Sequence, residues 1–199
     1  MTPSDKQRET ISGASASTGS EGIRTVLEFW FAPESRPYWF ERSEGFDAAV
    51  AEVLEPLHRL AVADALESWR DSPKGALALV LLLDQVPRNI YRGQVLAFAF
   101  DARARAVADG ALAAGFDRQL EPAERLFLYL PFEHSEDLED QERALELIAT
   151  LGDEGWTWYA RRHRDIIARF GRFPHRNATL GRETTQAEAQ FLQEPDSAF

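Results

Sequence analysis

Three short polar segments close apolar stretches of this chain, and they hold most of the side chains that could do chemistry. They read Leu83-Asp84-Gln85-Val86-Pro87-Arg88-Asn89, then Leu130-Pro131-Phe132-Glu133-His134-Ser135-Glu136-Asp137, then Gly171-Arg172-Phe173-Pro174-His175-Arg176-Asn177. Each carries a proline or glycine where a helix tends to stop, so its polar groups sit at helix ends and can converge. Glu133 beside His134 has the make-up of a general acid or base, and His175 offers a second imidazole that changes charge near neutral pH. Arg88, Arg172 and Arg176 can grip a carboxylate or phosphate through paired N–H bonds, with Asn89 and Asn177 lining the same hollow and fixing orientation. Asp84 shares a helical face with Leu77, Val80 and Leu81, so it points inward. An ionised carboxylate there is costly unless paired, and Arg88 and Arg92 follow within reach. The expected site therefore has Glu133, His134 and His175 moving a proton, and Asp84, Arg88, Asn89, Arg172, Arg176 and Asn177 binding a small anionic molecule.

A plainer reading stands beside this one. Asp84 with an arginine can be an ion pair that locks a helix end, and the third segment can be an interlocking turn whose arginines meet the acidic residues between Glu133 and Glu146. The histidines are His58, His134, His163 and His175. His134 and His175 with Glu133 or Glu136 lack the spacing of a metal motif, so no metal site is assigned. His163 reads as an interior residue on an apolar helical face, and His58 as a surface or helix-end residue. No motif names a cofactor.

The elements that must position these groups are helical. Val26, Leu27, Trp30 and Phe31 recur at helical spacing, as do Phe46, Val50, Val53, Leu54 and Leu57. Ser72 and Pro73 look like a cap and first turn for a helix from Lys74 to about Gln85, which is apolar on all faces and ends at Pro87. Further helices are expected over 94–114 with Gly115 as the stop, and over 122–130 ended by Pro131. Another is expected after Ser135 as cap, and one more through Trp156, Tyr159, His163 and Phe170. Thr185 and Glu188 form a capping-box pattern before a last short helix. Sustained period-two alternation and Asn-Gly or Asp-Gly turns are missing. The expected fold is all-α: seven to nine helices in antiparallel pairs, as a tetratricopeptide-like stack or an irregular bundle. Residues 1–21, rich in small polar side chains, are expected to form a disordered tail before one domain over 22–199.

Bulk composition excludes several roles. With 33 acidic against 22 basic residues the net charge is -11, and the pI near 4.9 argues against nucleic-acid and anionic-membrane partners. The chain has no cysteine, which removes disulfides and thiolate chemistry. The longest apolar run, Ala76 to Leu83, is far shorter than the ~20 residues a bilayer needs, and a cytoplasmic location is expected. A different class of function also fits the helical pattern: an interaction module whose groove takes a peptide or partner protein. It would expose aromatics such as Trp30, Tyr38 or Trp39.

The three segments, together with the opening Val26-Leu27-Glu28-Phe29-Trp30-Phe31, resemble the signature segments of the bacterial family known as domain of unknown function 924. The resemblance runs from about Ile23 to Phe199. It implies an all-helical, tetratricopeptide-like fold, and it implies no activity, substrate or catalytic residues.

Overall fold

A computed structural model of the chain describes residues 19–195 and 197. The tail expected over 1–21 lies, for residues 1–18, outside the described residues; from Ser20 the chain is helical. The α-helices run α1 Ser20–Phe31, α2 Glu44–Val62, α3 Pro73–Val80, α4 Val86–Ile90, α5 Asp101–Ala113, α6 Pro122–Glu133, α7 Leu138–Ala149, α8 Glu154–Phe170 and α9 Gln186–Phe191. Among the described residues there is no strand. No described helix is long and apolar enough to cross a membrane.

The helix starts follow from local chemistry. Ser43, Ser72, Asp137, Asp153 and Thr185 each accept a backbone N–H from the first turn that follows them, supplying a partner to donors that the helix itself cannot satisfy. Capping boxes close α6 (Glu121 with Glu124) and α9 (Thr185 with Glu188). Ser135, expected as the cap of the seventh helix, lies two residues too early. Its hydroxyl accepts the Asp137 N–H at 3.2 Å and donates to Asp140 at 2.6 Å, while Asp137 makes the cap. The helix expected over 94–114 begins later, because Val95–Phe98 winds as a tighter 3₁₀ turn before Asp101 starts α5.

Two prolines expected to end helices do not. α3 passes through a five-residue π turn, Leu81–Gln85, straight into α4, so Pro87 sits inside one rod. The wider turn opens the ladder where proline has no N–H to give, which removes the usual objection to proline within a helix. Pro131 likewise lies within α6, where the His134 N–H reaches the Leu130 carbonyl at 2.9 Å and closes the last turn behind it.

The α3–α4 rod is the centre of the molecule: every residue from Gly75 to Pro87 is buried. α1, α2, α5 and α6 pack around it, and α7 with α8 forms an antiparallel pair against α6. Gly75 is demanded by this crowding, since a Cβ there would stand 2.2 Å from the Trp69 carbonyl oxygen. Trp30 and Phe127 meet edge to face at 5.6 Å in the main apolar cluster. A second, smaller cluster stands apart from it: Ile166, Ile167, Phe173 and Phe191, with Phe170 and Leu192 against them.

Candidate functional site

The first polar segment is aimed by the π turn. The Val86 N–H bonds the Leu81 carbonyl, five residues back rather than four, and Asp84 lies on this widened turn with no exposed surface. Its carboxylate is held from three directions. His134 Nδ1 donates to Oδ1 at 2.8 Å, Gln85 Nε2 donates to Oδ2 at 2.6 Å, and Arg88 Nη1 stands 3.3 Å from Oδ1. Burial pushes the Asp84 carboxyl up, but the Arg88 charge and the His134 bond outweigh it and hold it well below the ordinary carboxylate range.

Arg88 reaches further. Its guanidinium donates to both oxygens of Asp101, at 2.9 and 3.0 Å, and to the Asp84 carbonyl at 2.8 Å. Asp101 in turn faces Arg176, whose Nη1 is 3.8 Å away. That same Nη1 donates to the His134 carbonyl at 3.0 Å. The Arg176 guanidinium packs against the rings of Phe98, 4.8 Å away, and Phe173, 4.4 Å away. Its Nε is buried without a hydrogen-bond partner. Burial, then the neighbouring Arg88 charge, lowers Arg176 to about 10.

The second segment brings two acids into opposite states. Glu133 is buried, and burial followed by the Asp84 charge raises its carboxyl to about 8, so it carries its proton at neutral pH. Oε1 lies 3.1 Å from Nδ1 of His163, whose Nδ1 also donates to the Tyr159 carbonyl at 2.9 Å. Burial brings His163 down to about 3. His134 is also lowered, by burial and by Arg88, against the pull of Asp84. Its side chain keeps 13% of its surface exposed. His175, beside Phe173 at 5.5 Å, falls to about 4 through burial and the Arg176 charge.

The third segment is tied down by pairs of its own. Arg182 grips Glu136 at 2.7 and 2.9 Å, and the Phe173 N–H donates to Glu136 at 2.8 Å. Arg172 clamps Glu188 at 2.6 and 2.9 Å, and that bond holds Glu188 far below the ordinary carboxylate range. Asn177 accepts from Arg182 Nε at 3.0 Å and donates to Thr184 at 3.4 Å.

Of the residues singled out in the sequence, Asp84, Arg88, His134 and Arg176 are brought together, with Glu133 and His175 beside them. Asn89 is not: its amide donates to Asp47 at 2.8 Å, where Arg92 also binds. Arg172 and Asn177 brace the turn rather than face the cluster. His58, expected at the surface or at a helix end, is 1% exposed and donates from Nδ1 to the Leu82 carbonyl at 2.8 Å, because its ring is drawn into the core between Tyr91 and Phe100. Asp101 and Phe98 are central and escaped the sequence reading, because a helix expected from residue 94 places Asp101 in its interior rather than in the first turn where it lies. Among the described residues, no group of three or more histidine or acidic side chains could hold a metal ion. A cavity of about 290 Å³ beside Arg70, Val107 and Phe116 shares no residue with the cluster.

A solved structure of a protein of unknown function, ATU0120 from Agrobacterium tumefaciens, is similar at 38% identity with a TM-score of 0.80, covering 92% of this chain and 98% of that one. No curated protein matches. The model of the family described as bacterial protein of unknown function (DUF924) matches residues 26–196. With all three polar segments inside that span, the chain belongs to this family.

Proposed function

We propose that the chain binds a small anionic molecule at the Asp84–His134–Arg176 cluster, with His134 taking a proton from that molecule or from a water beside it. The observation that carries this is the 2.8 Å bond from His134 Nδ1 to a fully buried Asp84 carboxylate. An anionic acceptor fixes the proton on Nδ1 and leaves the lone pair on Nε2, the nitrogen on the ring's far side. A neutral imidazole so oriented is a general base, and hydrolysis is the simplest reaction it serves. Glu133, protonated at neutral pH, supplies the matching acid, since two carboxyl groups with separated pKa values divide such roles. Arg176 supplies the cation for the anion.

The test is a thermal-shift titration with inorganic phosphate and with acetate, on wild type, Arg176→Lys and His134→Gln. Saturable stabilisation of wild type, approaching about 2.7 kcal/mol at 100 times the dissociation constant and reduced in both variants, is expected. No saturable shift, or an equal one in all three proteins, overturns the reading.

One observation favours an interaction module instead. Trp158 and Tyr159 stand 44% and 49% exposed on α8, with ring centroids 4.9 Å apart. Aromatic pairs left at the surface are a common anchor for a partner. Of the aromatics expected to serve this role, Trp30 is buried and Trp39 half-buried, while Tyr38 is 40% exposed. A Trp158→Ser variant that keeps phosphate-induced stabilisation separates the two readings.

A further inference from the structure

We infer that His58, a buried histidine 24 residues before the carbonyl it binds, is a positioning residue for the Asp84–His134 pair, acting through the π turn that carries Asp84. The inference rests on reading that pair as the working centre, and it is carried by the backbone hydrogen bonds of the π turn. In an α-helix the Val86 N–H would bond the Leu82 carbonyl. Here it bonds Leu81, so Leu82 loses that donor. In the wider register the next donor for Leu82 would be residue 87, and Pro87 has no N–H. The Leu82 carbonyl is therefore passed over by both neighbours in the ladder, and it lies in a fully buried stretch.

A buried carbonyl without a donor is rare and costly. His58 Nδ1 fills that vacancy at 2.8 Å. The carbonyl can only accept, so His58 must keep its proton on Nδ1, and burial holds the ring neutral by lowering its pKa. Tyr91 and Phe100 stand edge-on to it at 5.7 and 5.2 Å and fix its plane. Proline opens the turn, and the histidine completes it.

The consequence reaches His134 through geometry. A π turn inserts one residue into the helix, so relaxing it to α register rotates the chain on one side by about 100° relative to the other. Asp84 lies on the turn itself, and its Oδ1 meets His134 only in the present register. His58 thus touches neither His134 nor any substrate, yet sets where the carboxylate that orients His134 points.

The experiment reads the His134 Nδ1–H resonance by proton–nitrogen NMR on the ligand-free protein, assigned with His134→Gln. His58→Leu removes the donor; His58→Asn places an amide N–H where Nδ1 stood. The expected result is that His58→Leu moves or abolishes the His134 Nδ1–H signal and His58→Asn restores it. An unchanged His134 signal in His58→Leu overturns the inference and leaves His58 a packing residue. If His58→Leu fails to fold, Pro87→Ala provides the test, since its new N–H competes for the Leu82 carbonyl. There the His58 and His134 signals should move together, and a His134 signal that stays while that of His58 moves overturns the inference. No ligand enters these measurements, so they stand or fall separately from the phosphate titration.

Discussion

His134 and Asp84, fifty residues apart in sequence, meet through a 2.8 Å bond that joins the end of α6 to the π turn of the central rod. The carboxylate is fully buried, and Arg88 beside it is shared with Asp101. Removing one member of a buried charged set leaves the others uncompensated, at a cost of about 3–5 kcal/mol. Asp84→Ala should therefore lose stability in that range by urea denaturation, and a loss under ~1 kcal/mol, the scale of a surface pair, would show that the pair is dispensable.

Arg176 and Arg172 make a matched comparison. The Arg176 side chain is 7% exposed and lies against two aromatic rings, whereas that of Arg172 is 28% exposed in its pair with Glu188. Lysine keeps the charge but loses the planar stacking surface. Arg176→Lys is expected to cost about 1–2 kcal/mol, in line with a desolvated cation–π contact. Arg172→Lys should cost clearly less, as its partly exposed pair is screened by water. Equal costs in thermal or urea unfolding would contradict the assigned environments.

Glu133 sets a pH dependence with a defined sign. Its folded pKa, about 8, lies above the ordinary value of 4.5. The folded state therefore keeps a proton that the unfolded chain releases, and stability falls as pH rises between those values. His163 and His175, lowered to about 3 and about 4, act in the other direction. Their contribution is intact above the unfolded value of 6.5 and is lost as pH falls toward the folded values. The interval from 6.5 to 8 isolates Glu133 among these three groups. Wild type should lose roughly 2 kcal/mol across it, and Glu133→Gln should be flat. A parallel slope in both proteins would refute the protonated glutamic acid.

Glu136 is the tie that holds the third segment. It accepts the Phe173 N–H and both arms of Arg182. Glu136→Gln should speed amide exchange across residues 172–183 by more than about tenfold, the sign of a local opening, while α3 keeps its protection. Uniform acceleration in both regions would instead mean global destabilisation.

Much of this was legible in the sequence, for reasons that differ by residue. Asp84 stood out because a lone carboxylate on an all-apolar helix has nowhere to go but inward. The all-helical class and the caps at Ser72 and Thr185 followed from short-range rules that the structure obeys. Pro87 and Pro131 misled because their stop rule is local, whereas a π turn and a closing bond from His134 are settled by packing. The types in the third segment pointed to ion pairing, but the partners Glu136 and Glu188 lie 46 and 16 residues from the arginines they hold. The acidic stretch that holds Glu136 was in view, but spacing does not say which acid meets which arginine. His58 had no signal at all, since its role is defined by a carbonyl that only the folded rod leaves empty.

The division into two apolar clusters has a mechanical consequence. Phe173 and Phe191 belong to the smaller one, and what fastens their segment to the rest includes the bonds that Phe173 N–H and Arg182 donate to Glu136 and the one that Arg176 donates to the His134 carbonyl. Water competes for such ties far more readily than for buried methyl groups, so residues 172–183 should open before the rod does, while α8 stays packed on α7. Such an opening would release the His134 carbonyl from Arg176, next to the ring that Asp84 holds.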